Sequence, residues 1–214
     1  MRRLLFKDCT RKELEKLFSI KQVNNLPSLD EWLSTPFEID DIHRTVLGWS
    51  KERLAYNFLD WNEQELAMNF IGPIVSLVDY SDKEGRFNEF NERNLTAVIN
   101  DIELFGYPDG IIASGRREPE IPIFCLHEYK KELDSSGDPI GQVMGAMLVS
   151  QALNFNNDNP IYGCWIAGSN WYFLVLEGKN YAISRGYNGT TDDILEIYRI
   201  LQVLKATIIK ITTQ

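Results

Sequence analysis

Gly106 to Lys131 reads GYPDGIIASGRREPEIPIFCLHEYKK, two apolar runs held apart by a stretch rich in glycine, arginine and proline. That is the pattern of two strands joined through a turn: Asp109 to Ser114 on one arm, the run ending at Lys130 on the other, with Gly115 to Glu120 between them. Side chains alternate along a strand, so Glu128 and Lys130 share one face while His127 and Tyr129 take the opposite one. Pairing back across the turn brings Asp109 toward both. In isolation a Glu-x-Lys pair on a strand is an ordinary surface ion pair of little energetic worth. Here it follows Ile123-Phe124-Cys125-Leu126, a run too apolar for an exposed edge. The strand is therefore expected to be central, and a charged pair closing a central strand needs a reason beyond packing.

Working toward the N-terminus, LTAVINDIEL alternates as one strand, and with the two arms above it predicts an antiparallel meander of three consecutive strands. Ser81 to Arg93 reads as a polar interruption. Before it, NEQELAMNFIGPIVSLV sets Leu66, Phe70, Ile74 and Leu77 on one helical stripe, with Asn62 as cap and Glu63 and Glu65 in the first turn. Both glutamates suit the positive end of the helix dipole, and one of them can instead face the acidic cluster. Thr10 and Glu13 have capping-box spacing for a helix over 10–21. The remaining residues up to 61 read as short helical pieces and loops. Their Trp32, Phe37, Trp49 and Trp61 are expected as core anchors or packing lids.

Toward the C-terminus, Asp138 and Pro139 open a helix, DPIGQVMGAMLVSQALN, that is apolar nearly all round and so expected to be buried. Gln142 is one of its polar exceptions, either a helix-end hydrogen bonder or a site residue. IYGCWIAGSNWYFLVLEGKNYAIS reads as two or three strands. A last amphipathic helix, to about Lys210, lines up Ile194, Tyr198, Leu201, Leu204 and Ile208. The fold class is α/β: a central mixed β-sheet flanked by helices over residues 62–214, preceded by an irregular, mainly helical N-terminal extension over 1–61, the whole most simply one domain.

Composition narrows the function. With 22 basic against 31 acidic residues the chain carries a net charge of −9, which opposes long-range attraction to phosphate backbones but leaves room for a metal-holding cluster. No apolar run is long enough to span a bilayer, and the first residues lack the apolar core of a signal peptide, so a cytoplasmic protein with no membrane partner is expected. Three widely spaced cysteines fit a reducing compartment.

Two carboxylates on hard-oxygen terms suit magnesium, which takes one or two protein carboxylates and leaves its other positions to water and phosphate oxygens. With Lys130 beside them, the constellation points to phosphodiester hydrolysis by water. Competing readings are poorer. Cys125 and His127 lack a third, orienting group for nucleophilic catalysis and a second motif for zinc, and His127 is expected as a packed histidine opposite the site. No glycine-rich phosphate loop is present.

Pro108-Asp109, the spacing to Glu128-Tyr129-Lys130, the acidic helix start at Asn62-Glu63 and Gln142 together resemble the PD-(D/E)xK nuclease superfamily. NEQELAMNFIGPIV is similar to the segment opening the nuclease domain of type I restriction subunits. HEYKKELDSSGDPIGQVMGAMLVSQALN and the strands after it resemble uncharacterised bacterial members. The resemblance covers Asn62 to Lys210 and implies a restriction-endonuclease-like core. It implies that Asp109, Glu128 and the Tyr129 carbonyl bind Mg2+, or Mn2+ in its place, and that Lys130 acts on the water. Glu63 is implied as the helix acid and further ligand, with Glu65 as the alternative, and Gln142 lies near the nucleic acid or the site. The implied activity is nuclease action on nucleic acid, DNA first, with a protein partner for sequence recognition or a homodimer as possible assemblies. The alternative is a non-catalytic protein-binding or regulatory module on the same fold, docking through the surface around Trp32 to Trp61.

Overall fold

The computed structural model describes residues 2–132, 137–154 and 159–213. Its main sheet is built on the hairpin of β6 (Gly110–Ser114) and β7 (Glu120–Lys130). From β7 the sheet extends through β8 (Ile161–Ala167), β9 (Asn170–Glu177) and β10 (Asn180–Ile183) to the two-residue β2 (Lys21–Gln22) at one edge. On the other side of β6 lies β3 (Asn88–Asn91). β7 runs parallel to β8 and β10 parallel to β2, while the other pairings are antiparallel, so the sheet is mixed and β7 is central, as its apolar run requires.

The meander expected from the sequence is not what forms. Asn100 and Asp101 both take positive φ, 50° and 61°, which closes a tight two-residue hairpin inside LTAVINDIEL. The stretch becomes β4 (Leu95–Ile99) and β5 (Ile102–Gly106), which join β1 (Arg2–Leu5) in a separate sheet of order β1-β5-β4. The neighbour of β6 is β3 instead, drawn from the segment read as a polar interruption.

Helix α6 (Pro139–Leu153) lies between the two sheets, touching β7 and β8 on one side and β4 and β5 on the other, with α1 (Arg11–Phe18) alongside. That sandwich is why the helix is apolar on every side: Gly141 to Ser150 are buried without a break. Gly141 is required by the closeness of this packing, because a Cβ there would fall 2.4 Å from the Cys9 carbonyl oxygen. Asp138 caps α6 at Gly141 N and also accepts the Arg11 N–H at 2.7 Å, tying both helix starts to one carboxylate.

The opposite face of the main sheet is covered by α2 (Pro27–Ser34), α5 (Gly72–Val78) and α7 (Asp193–Thr212), whose Ile194, Tyr198, Leu201, Leu204 and Ile208 are buried in a core with Trp32, Phe70 and Trp171. Residues 1–61, expected as an irregular helical extension, supply strands to both sheets, and Trp32 donates its indole N–H to the Ile200 carbonyl at 2.8 Å. Trp32 is the core anchor expected of it. Trp49 is not: on α3 (Asp41–Asn57) it is 66% exposed, and Phe37 is also exposed. No described helix is long and apolar enough to cross a membrane. The three cysteines are free and buried. The sequence also reads as a turn over KKELDSSG, residues 130–137, and as a loop over 154–160, and both fall partly outside the described residues.

Candidate active site

The pairing of Gly110 with His127 places Asp109, just before β6, next to the Glu128–Tyr129 peptide. Its Oδ2 accepts the Tyr129 backbone N–H at 2.5 Å, which anchors the carboxylate at the mouth of the hairpin. Gly110 allows this close approach: a Cβ there would stand 3.1 Å from both His127 and the Tyr129 hydroxyl. The glycine is thus needed for side chains packed behind it, not for a ligand in front. Glu128 and Lys130 share a face as strand alternation requires, with Lys130 Nζ 2.9 Å from Glu128 Oε1.

The choice between Glu63 and Glu65 is decided by helix capping. Asn62 accepts the Glu65 N–H and Glu65 reaches back to the Asn62 N–H, both at 2.9 Å, so Glu65 is committed to a reciprocal capping box at the start of α4 (Glu63–Leu66). Glu63 is left to face the strand, its Oε2 3.7 Å from Lys130 Nζ. The helix continues through a π turn at Ala67–Ile71, which carries the chain past Pro73 and keeps Phe70, Ile71 and Ile74 in the core. We expect Glu65→Ala to lower stability by about 1 kcal/mol, seen as a lower melting temperature, without touching the site. Glu63→Gln is expected to leave the melting temperature nearly unchanged while lowering metal affinity by calorimetry; equal metal affinity in the two variants would contradict this assignment.

Asp109, Glu128, Lys130 and Glu63 therefore converge from three separate stretches. Gln142 is buried on α6 with its amide packed near Gly137, and no hydrogen bond links it to Asp109, Glu128 or Lys130. Conversely, Glu92 is a residue the sequence reading passed over. With Asn91, Gln64 and Ala67 it lines a cleft of about 510 Å³ that Glu63, Asp109 and Tyr129 share. Its φ of 51° and its N–H bond to the Asp109 carbonyl turn the chain at the end of β3. A second cleft, about 490 Å³ among Trp32, Phe37, Tyr162 and Lys210, contains the single carboxylate of Glu31 and lacks a paired acid.

Burial dominates the electrostatics. It pushes the Asp109 carboxyl up to about 6, against the opposing pull of the Tyr129 N–H and the Lys130 charge. Glu128 is pushed up to about 7, by burial first and then by the Asp109 charge, with the Lys130 hydrogen bond acting the other way. For Lys130 burial favours the neutral amine, but the hydrogen bond and charge of Glu128, with Glu63 and Asp109, outweigh it and raise its pKa. Lys130 is therefore an ammonium at neutral pH. Behind the site His127 is buried, its Nδ1 3.3 Å from the Tyr129 hydroxyl and its Nε2 without a partner among the described residues, and burial lowers its pKa to about 4. It is the neutral packed histidine expected, and Cys125 beside it is held as a thiol by burial.

No protein-family model and no curated protein matches the chain. The chemistry of the site therefore has to be argued from its own donors. Among the described residues no group of three or more His, Cys, Asp and Glu side chains is arranged to cage an ion. Two carboxylates that destabilise each other, with Asp109 opening onto the cleft, nonetheless fit a magnesium-type cation, which needs few protein oxygens and rewards the ionised forms that burial disfavours. The Tyr129 carbonyl lies on the same strand edge as the N–H that Asp109 accepts, so it can serve as a third oxygen donor.

Proposed function

We propose that this chain is a magnesium-dependent hydrolase of phosphodiester bonds in nucleic acid, DNA first, built on the restriction-endonuclease-like core of the PD-(D/E)xK superfamily. The observation that carries the reading is the convergence of Asp109, Glu128 and Lys130, with Glu63 at the rim, at the end of a central strand. Asp109, Glu128 and the Tyr129 carbonyl would hold the cation. When bound, it supplies Lewis-acid polarisation of the phosphate and acidifies a water molecule. Lys130, as an ammonium, is suited to donating a hydrogen bond to the phosphate or water and to offsetting charge gathered in the transition state. Its raised pKa argues against the alternative role of proton acceptor. Glu63, with its Oε2 3.7 Å from Lys130 Nζ, would add a further carboxylate to the cation and help to orient the ammonium.

The experiment is incubation of the purified chain with single- and double-stranded DNA and RNA in Mg2+, in Mn2+ and in EDTA. Cleavage in either metal that disappears in EDTA is the expected result. Absence of cleavage of all four substrates in both metals, together with no metal binding by calorimetry, would remove the reading.

A further inference from the structure

One face of β7, β8 and β9 changes character at a single level. Leu126, Gly163 and Leu174 are paired across the three strands and buried, and a Cβ at Gly163 would fall 2.6 Å from Met147 Sδ of α6, so the helix covers this row. The next row on the same face is Glu128, Trp165 and Tyr172, and the row after it is Lys130, Ala167 and Asn170. From Trp165 onward the positions on β8 and β9 in these rows are only partly buried. Cover by α6 thus thins on β8 and β9 at the level where the charged residues begin on β7, while Glu128 itself stays buried.

Trp165 and Tyr172 are stacked on each other in that second row, ring centroids 3.9 Å apart and planes within 7°. Cross-strand aromatic pairs stabilise sheets modestly wherever they occur, and in this one Trp165 packs partly against the α6 core while Tyr172 lies against Gly186. Two features go beyond that role. Neither the indole N–H nor the phenol hydroxyl has a hydrogen-bond partner among the described residues, and neither is among the fully buried polar atoms. The pair also continues the row of Glu128. With strands about 5 Å apart, the indole lies one strand and the phenol two strands from the carboxylate.

We infer that Trp165 and Tyr172 are a stacking platform for an unpaired nucleobase next to the scissile phosphate, which makes the preferred substrate a single-stranded or locally unpaired nucleic acid. The inference rests on the nuclease reading above and specifies its substrate. A base inside a duplex is already stacked on both faces, whereas every unpaired base has a free π-face for an aromatic side chain. Stacking also answers the charge problem: a chain of net charge −9 gains little from nonspecific attraction to phosphate, so contacts to the base must supply the affinity.

Fluorescence anisotropy with labelled dT12, rU12 and a blunt DNA duplex, in Ca2+ at constant salt, tests the platform on the full chain. The wild type is expected to bind a single strand more tightly than the duplex. Trp165→Ala is expected to weaken single-strand binding about tenfold to a hundredfold, with Trp165→Phe largely restoring it; the preference between dT12 and rU12 identifies the sugar. A substrate-side arm needs no variant: in Mg2+, wild-type cleavage of a single strand should fall when one abasic residue adjoins the cut. If the wild type cuts nucleic acid but the abasic residue has no effect and Trp165→Phe and Trp165→Ala bind like wild type, the platform is wrong and the nuclease reading stands. If no nucleic acid is bound or cut, the nuclease reading itself has failed and the platform falls with it.

Discussion

The Lys130→Met protein is expected to hydrolyse nucleic acid about a thousandfold more slowly than wild type while keeping its fold and its affinity for single strands. The magnitude follows from removing a preorganised charge aimed at the reacting phosphate, which typically costs 10²- to 10³-fold, and up to about 10⁴-fold where the group also transfers a proton. Methionine fills the volume of the lysine stem, so packing beside β7 is retained. The cost to folding is limited by a second effect. Once the ammonium is gone, Glu128 has lost the partner that opposed its burial, and the carboxyl can take up a proton rather than remain as an unpaired buried charge. The variant should therefore bind magnesium less tightly near neutral pH and recover binding at higher pH. Single-turnover cleavage and calorimetry across pH measure both effects; cleavage within a few-fold of wild type would eliminate Lys130 from the chemistry.

The metal-free protein is expected to lose stability as pH rises through the range in which the carboxylate pair ionises. Folded-state values of about 6 for Asp109 and about 7 for Glu128 lie above their ordinary values of 3.8 and 4.5. The folded protein thus binds the protons more tightly than the unfolded chain does. This contribution is fully present below about pH 4 and is lost as pH rises past 7. Its size is on the order of 6 kcal/mol for the pair, at about 1.4 kcal/mol per pKa unit. His127 works in the opposite sense. Its folded value of about 4 lies below the ordinary 6.5, so its contribution is present above pH 6.5 and is lost as pH falls toward 4. The two slopes oppose each other between pH 4 and 6.5, and only variants separate them. In urea denaturation with EDTA, Asp109→Asn should flatten the decline between pH 6 and 8, and His127→Phe should remove the decline toward acid. Magnesium should raise the midpoint at pH 8, where the pair is ionised, and do little at pH 5. A wild-type profile superimposable on that of Asp109→Asn between pH 6 and 8 would show that the carboxylates are not coupled as described.

The hairpin and its charged end were readable because a period of two fixes which residues share a face, and a glycine- and proline-rich turn fixes which segments meet. Asp109, Glu128 and Lys130 follow from those two facts alone. Glu63 needed one more. Both helix glutamates lie in the first turn, and only the reciprocal bonds between Asn62 and Glu65 show which one is free, although the Asn62-to-Glu65 spacing is itself the signature of such a box. β3 escaped because it is a four-residue strand with one buried side chain, Phe90, and so has almost no periodicity to read. The small sheet escaped because alternation continues on both sides of Asn100-Asp101, and a tight turn there leaves the pattern looking unbroken. Gln142 was left between two readings for a different reason. Position along a helix says which residues share a face, but whether a buried amide reaches a neighbouring strand depends on how the helix is docked.

The edge pairing of β2 bears on how the chain reaches its native state. Lys21 and Gln22 pair with Asn180 and Tyr181, and the Trp32 indole waits for a carbonyl 168 positions further on. Made from the N-terminus, the chain exposes Leu26, Leu29 and Trp32 long before their cover from β8, β9 and finally α7 has been synthesised. Contacts of this sequence separation close large loops before they are rewarded, which slows folding and prolongs the exposure of apolar surface. The early segment is therefore a natural client for a chaperone during synthesis, and the assembled site depends on residues that have waited longest to be packed.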